Sequence, residues 1–364
     1  MRVIGLDIGG ANIKASDADG RTAAVAFAMW QQKDELPAVL RALAADHFFA
    51  DGSAPDMVAL TLTAELADCF QSKAEGVAFV IGAVEESFPN VLLRVWLTSG
   101  EFAESEDARD IPTLVAAANW HALATWSGRA VPDGPALLID MGSTTTDIIP
   151  LLDGRPVPKG LNDCDRLLSG ELVYTGAVRS PVCAIVDTVP IGGELCPVAA
   201  EVFATIADAY VVAGMVRENA DDTNTADGRP LTRRCSLNRL AHMVCCDSTE
   251  LSEGELTSIA QHVVETQCGQ LQTAIRQVLG RLARVMETTE QRCLDIEKPT
   301  VILSGSGTSF VERVLQNLEG FSFAGRLTLS DMFRFPISES ACAFAVARLA
   351  HDRCRDDLLE LTAL

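Results

Sequence analysis

Two short segments of this chain combine an aspartate with glycines and with hydroxyl or amide side chains. Asp7-Ile8-Gly9-Gly10-Ala11-Asn12-Ile13-Lys14 follows the apolar run Val3-Ile4-Gly5-Leu6. Asp140-Met141-Gly142-Ser143-Thr144-Thr145-Thr146-Asp147 follows Ala136-Leu137-Leu138-Ile139. Glycines in such a turn let main-chain N–H groups come close to an anion, and the flanking side chains add donors. Gly9, Gly10, Asn12 and Lys14 in the first segment are therefore expected to bind phosphate. In the second, Gly142, Ser143, Thr144, Thr145 and Thr146 are expected to do the same. An aspartate at the end of the entering strand suits a hard divalent cation that bridges to phosphate oxygens. Asp7, Asp140 and Asp147 are expected in that role. Mg²⁺ is the expected ion, although oxygen ligands alone do not separate it from Mn²⁺. For Asp147 a role in supporting the turn stays open, and for Lys14 that of an exposed strand charge. Two such loops in two halves of one chain point to a phosphate-bearing small molecule clamped between related domains.

The elements that must position these loops repeat. Strands are expected at 2–8, 11–17 and 21–28, with Asp19-Gly20 as a hairpin turn. A helix at 34–47, a strand at 57–62, a helix at 74–87, a strand at 91–96 and a helix at 111–126 follow. Val131-Pro132-Asp133-Gly134-Pro135 reads as a hinge. The meander then restarts with strands at 136–141, 145–152 and 155–158. Beyond it lie a strand at 182–189 and helices near 198–216 and 231–245. A long helix is expected over 252–290, with apolar residues at helical spacing from Ile259 to Leu282. A strand at 300–304, a helix at 308–317, a strand at 326–329 and a helix at 338–352 close the chain. The domains implied are 1–130, joined by the 338–352 helix, and 135–335 with a helical insertion. This doubled layout resembles the actin-like ATPase and sugar-kinase superfamily, a ribonuclease H-like α/β fold with a cleft between its domains. The resemblance draws in Ser304-Gly305-Ser306-Gly307-Thr308, a strand end leading to a helix start, where Gly305, Ser306 and Gly307 would also meet phosphate.

Composition sets the class. A chain of 364 residues with 48% hydrophobic and 22% charged residues can bury two cores. Its net charge of −21 argues against nucleic acid as a partner, so any phosphate must be held by a few local donors and cations. No apolar run reaches the length of a membrane span and no leader pattern precedes the first strand, so a cytoplasmic, non-membrane protein is expected. The eleven cysteines contain no C-x-x-C spacing and are read as small buried apolar residues in a reducing compartment.

Several longer blocks narrow the resemblance. They are Thr61 to Phe70 with Lys73-Ala74-Glu75-Gly76-Val77, Ala116-Ala117-Ala118-Asn119-Trp120, Gly142 to Pro150, Arg166 to Gly176, and Thr225-Ala226-Asp227-Gly228. Together they resemble the tetrahydromethanopterin-linked C1-transfer pathway proteins, relatives of hydantoinase A and oxoprolinase that include the furan-methanamine synthases of methanofuran biosynthesis. A double glycine expected in the third loop is absent from Ser304-Gly305-Ser306-Gly307. The resemblance implies a transferase that joins an aminomethylfuran bearing a CH₂-diphosphate to the phenol of a γ-glutamyltyramine-like acceptor and releases diphosphate. A phenol with a pKa near 10 needs a base at neutral pH, and Glu65 is the expected one, with Asp7 and Asp140 beside the leaving group. The first turn of a helix is the other reading of Glu65. Lys73, Asn119, Arg166, Glu171 and Tyr174 are expected on the substrate side. A structural loop network is the alternative for Arg166, Glu171 and Tyr174, and a packed helix face for Asn119. Two other readings stay open: an ATP-dependent kinase or ATPase, and a nucleotide-binding module without catalysis. The long helix could also serve in a homodimer.

Overall fold

A computed structural model of the protein describes residues 1–288, 298–332 and 340–362. The ends of two expected helices, 289–290 and 338–339, lie outside the described residues, as do 333–335 of the expected second domain.

The first sheet contains β1 (Val3–Gly9), β2 (Asn12–Asp17), β3 (Thr22–Ala26), β4 (Met57–Thr63), β5 (Leu92–Trp96) and β6 (Phe102–Ala103), in the order β3-β2-β1-β4-β5-β6. The second contains β7 (Pro135–Met141), β8 (Thr146–Leu152), β9 (Arg155–Pro156), β10 (Leu172–Val173), β13 (Thr300–Ser304) and β14 (Gly325–Thr328), in the order β10-β8-β7-β13-β14 with β9 also on β8. Between them in sequence, β11 (Thr188–Ile191) and β12 (Glu194–Pro197) form a separate hairpin. Each large sheet has an antiparallel meander followed by two parallel strands, β1-β4-β5 in one and β7-β13-β14 in the other. This is the duplicated architecture of the actin-like ATPase and sugar-kinase fold.

Local sequence explains the meanders. Asp153 at φ 49° and Gly154 at φ 74° supply the two left-handed positions that a two-residue hairpin turn between β8 and β9 requires. The third strand of the second meander is split. β9 pairs with one end of β8 and β10 with the other, and the excursion between them carries the helix Asp163–Ser169.

Alternating burial gives the second sheet two apolar faces. Leu137, Ile139 and Ile148 pack towards the helices Ile206–Val212 and Glu253–Thr288. Ala136, Leu138, Ile149 and Ile302 pack on the helices Asn119–Ser127 and Ala341–Thr362. The latter helix then reaches the first sheet through Val346, Ala347, Leu349 and Ala350, which meet Val3, Met57 and Ala59. The approach is close: a Cβ at Gly5 would stand 2.1 Å from the Ala343 carbonyl oxygen.

Several expected elements differ. The helix expected over 111–126 is two pieces, Pro112–Val115 and Asn119–Ser127. Between them Ala116 bridges to Leu62 in strand fashion, and Ala117 adopts φ 49°. The strand expected at 182–189 begins as a helical turn, Val182–Ile185, after Pro181, and β11 starts only at Thr188. The helices near 198–216 and 231–245 shorten to Ile206–Val212 and Arg233–His242. Of the cysteines expected to be buried, Cys342 is, whereas Cys164 and Cys245 are exposed. No helix among the described residues is long and apolar enough to cross a membrane.

Candidate active site

Strand register explains why the two aspartates correspond. Asp7 on β1 stands opposite Lys14 on β2 and beside Thr61 on β4. Asp140 on β7 stands opposite Asp147 on β8 and beside Ser304 on β13. The duplicated position opposite the aspartate thus carries a cation in one half and an anion in the other. Asp7 and Asp140 lie close enough to feel each other's charge and that of Lys14. Burial raises the Asp7 carboxyl above its ordinary range, with Lys14 and the Asn119 amide pulling the other way. Burial also pushes Asp140 up to about 6; Asp147 adds to the rise, and the Ser304 hydroxyl and Lys14 oppose it.

Asp147 already has a cation on one oxygen. Its carboxylate is ion-paired to Arg166, which is 1% exposed. Arg166 also pairs with Asp163 at 3.3 Å, donates to the Glu171 carbonyl at 3.2 Å and stacks over the Trp120 ring at 4.1 Å. Expected at the substrate side, Arg166 instead neutralises Asp147 and locks the Asp163–Ser169 helix against the sheet. Glu171 is corrected in the same way. It is fully buried, and its carboxylate accepts from the main-chain N–H groups of Lys159 and Gly160 and from Arg281. It braces the loop before the helix and has no surface for a substrate. Tyr174 is 70% exposed at the end of β10.

The two aspartate–glycine loops, expected to bind phosphate, hold open donors. Among the described residues, the main-chain N–H groups of Gly10, Ala11, Ser143, Thr144 and Thr145 make no main-chain hydrogen bond. Asn12 is exposed and Gly9 half-buried at the same turn. The Gly142 N–H closes the second turn onto the Thr145 carbonyl at 2.9 Å, so it is not available to a ligand. The Thr146 hydroxyl, fully buried, is turned away to the Thr175 carbonyl at 2.7 Å. In the third loop the Gly307 N–H is taken by the Met141 carbonyl, whereas Ser306 is exposed. Gly305 has φ 87°, and a Cβ there would lie 2.7 Å from Asp140 Oδ1, so its role is to let the third loop pass the aspartate.

Glu65 sits just beyond β4, 2% exposed, and its Oε2 has no hydrogen-bond partner. Burial lifts its pKa to about 7, against the pull of its own and Ala117's N–H groups and of Lys73, while nearby Asp163 adds to the rise. Its surroundings are tight: a Cβ on Gly76 would meet the Glu65 main chain at 2.6 Å. The left-handed turn at Ala117 aims an amide at this carboxyl, a strained conformation of the kind that collects at functional sites. Lys73 opens the helix Lys73–Ser87, capped by the Ser72 hydroxyl, and so lies beside Glu65.

Buried polar atoms without partners gather around these groups. Asp7 Oδ1, Thr61 Oγ1, Glu65 Oε2, Trp120 Nε1 and Arg166 Nε all lack one. Native proteins leave few such atoms, so a group of them at the strand ends marks where a polar ligand or water completes the site. Thr61 opens one of the distinctive sequence blocks but was not among the expected site residues. The position of Thr61 opposite Asp7 in the sheet was the available signal. Among the described residues no group of three or more His, Cys, Asp or Glu is arranged to hold a metal. A two-carboxylate arrangement that leaves the remaining ligands to substrate oxygens does fit Mg²⁺, and the orphaned Asp7 Oδ1 is suited to it.

Comparison with known proteins adds chemistry to this geometry. Residues 56–353 match the hydantoinase/oxoprolinase family. The chain is 31% identical over 352 residues to the (4-{4-[2-(gamma-L-glutamylamino)ethyl]phenoxymethyl}furan-2-yl)methanamine synthase of Methanocaldococcus jannaschii, covering 96% of this chain and 97% of that one. It is 26% identical over 217 residues to the protein of the same name from Methanococcus vannielii, covering 60% of this chain and 91% of the other. An archaeal actin homologue of known structure superposes with a TM-score of 0.44 at 13% identity, over 97% of this chain and all of that one.

Proposed function

This chain belongs to the hydantoinase/oxoprolinase family and to its furan-methanamine synthase branch, and from that premise we propose that it is a synthase of methanofuran-type cofactor biosynthesis. The product named for its relatives contains a phenoxymethyl-furan ether. In the proposed reaction the phenol oxygen of a γ-glutamyltyramine-like acceptor attacks the CH₂ of an aminomethylfuran-methyl diphosphate. The new C–O bond forms as the CH₂–O bond to phosphorus breaks, and diphosphate leaves with the electron pair. The phenol proton passes to Glu65.

The observation that carries this reading is Glu65: a buried carboxyl with one unpartnered oxygen and a pKa of about 7. A general base works best when its pKa lies near the operating pH, and a carboxylate at its ordinary value would be a poor acceptor for a phenol proton. Lys73 beside it stabilises the charged form when substrate binding changes the surroundings. The loop amides of Ser143, Thr144 and Thr145, with Lys14, are suited to the charge that builds on a departing diphosphate. Asp7 and Asp140 would hold a Mg²⁺ that neutralises part of that charge.

The test is calorimetric titration of the protein with inorganic diphosphate and with ATP, each with Mg²⁺. Binding of diphosphate with no gain from the adenosine moiety supports the proposal. A strong preference for ATP, weakened by Asp7→Ala or Asp140→Ala, would sink it in favour of a kinase or ATPase.

A further inference from the structure

Arg179 belongs to none of the motifs above, yet it is fixed to the second phosphate loop. The segment leading to it is bonded to that loop along its length. The Ala177 N–H donates to the Gly142 carbonyl at 2.9 Å, and the Val178 and Arg179 N–H groups donate to the Ser143 carbonyl at 3.1 and 2.8 Å. Gly176 passes so near that a Cβ there would lie 2.5 Å from the Thr144 nitrogen. From below, the buried Gln267 amide donates to Thr175 Oγ1 at 2.8 Å and to the Gly176 carbonyl at 2.9 Å, and accepts from the Tyr210 hydroxyl at 2.5 Å. The segment is therefore held rigidly by the long helix.

At its end Arg179 is exposed, and its Nε donates to Thr144 Oγ1 at 2.9 Å. Among the described residues its terminal nitrogens have no hydrogen-bond or ion-pair partner. The charge balance of the two loops gives this arrangement a purpose. The first loop has Lys14 opposite its aspartate, whereas the second has Asp147, whose only cationic partner among the described residues, Arg166, is shared with Asp163. In a chain of net charge −21 the second loop needs a cation from elsewhere to hold a multiply charged anion.

We propose that Arg179 is that cation: a phosphate-binding residue whose free guanidinium edge grips the diphosphate of the substrate as the Thr144 hydroxyl fixes its orientation. The planar fork suits two phosphate oxygens at once in a way that lysine does not. The identity of the anion as a diphosphate rests on the functional reading above; the role of Arg179 does not.

The experiment is titration of Mg²⁺ with inorganic diphosphate into the wild-type protein, Arg179→Ala and Arg179→Lys, with melting curves to verify folding. Because the side chain is exposed, both variants should melt as the wild type does. Arg179→Ala should weaken diphosphate binding about tenfold to a hundredfold, and Arg179→Lys should recover only part of the loss. Unchanged affinity in Arg179→Ala overturns the assignment and leaves the proposed reaction standing. If the wild type ignores diphosphate and binds Mg²⁺-ATP, the proposed reaction fails. The same variants titrated with ATP then decide the role of Arg179 alone: a comparable loss supports it and no loss overturns it.

Discussion

Replacing Glu65 by glutamine should make the protein more stable and less active, and the size of both effects follows from its surroundings. Burial holds its pKa at about 7 against an ordinary value of 4.5. A carboxyl whose folded pKa is raised favours the fold while it is protonated. Its contribution is complete below the unfolded value and is lost as pH rises through the folded one. Between pH 4.5 and about 7 the wild type should therefore lose stability, and at 1.36 kcal/mol per unit the loss amounts to about 3 kcal/mol. Glu65 is 2% exposed, so solvent screening takes little from this figure. Glutamine fills the same volume without a charge to bury, so the variant should gain up to that amount at pH 8 and nothing near pH 4.5. Activity should move the other way. Loss of a general base costs about 10²- to 10⁴-fold in kcat, and the wild-type rate should fall tenfold per unit as pH drops below about 7. Scanning calorimetry at pH 5 and pH 8, with a diphosphate-release assay on both proteins, measures the two effects side by side. A Glu65→Gln protein that keeps the wild-type rate and melts no higher at pH 8 would refute the reasoning on both counts.

Two further substitutions probe the framework. Arg166→Met should destabilise the protein by about 3–5 kcal/mol, because it strands the carboxylates of Asp147 and Asp163 without their partner. Arg166→Lys should rescue little, since a single ammonium cannot reach both carboxylates and the Glu171 carbonyl while lying flat on Trp120; urea unfolding of both variants checks this. Gly5→Ala should cost about 1–3 kcal/mol or more, because the new methyl would meet the Ala343 carbonyl oxygen at 2.1 Å and push the helix Ala341–Thr362 off β1. Its effect should appear as a lower melting temperature, and Gly10→Ala, with nothing within 4 Å of the added Cβ, is the control that should melt nearly as the wild type does.

What the sequence revealed and what it hid divide along the distance over which the signals act. The aspartate–glycine loops were legible because an apolar run, a turn and a returning strand are neighbours in the chain, and the doubled meander followed from seeing that pattern twice. The break at Ala117 was not legible. Val115-Ala116-Ala117-Ala118 is a stretch of residues at home in a helix, and what bends it is pairing with Leu62, more than fifty positions away. Thr146 could have been separated from Thr145 by alternation. As the first residue of β8 its side chain points to the face opposite that of Asp147, and so lies beneath the loop. Arg179 carried no local signal, since only the hydrogen bonds of its segment to Gly142 and Ser143 bring it to the second aspartate–glycine loop.

The two glutamates expected at the site show where sequence reasoning has to stop. Glu65 and Glu171 both fall in distinctive blocks, and both are buried to within 2% of full exclusion. Burial alone would make each a candidate. Partners separate them. Glu171 has two loop amides and Arg281 on its oxygens, so its lone pairs are occupied. Glu65 keeps Oε2 without a partner, beside Lys73 and within reach of Asp163, and only a carboxyl in that condition can accept a proton from a bound ligand. The partners of Glu171 come from residues 159, 160 and 281, and no feature of the block around it announces them. The proposed reaction thus rests on the one of these two buried glutamates that keeps an unpartnered oxygen.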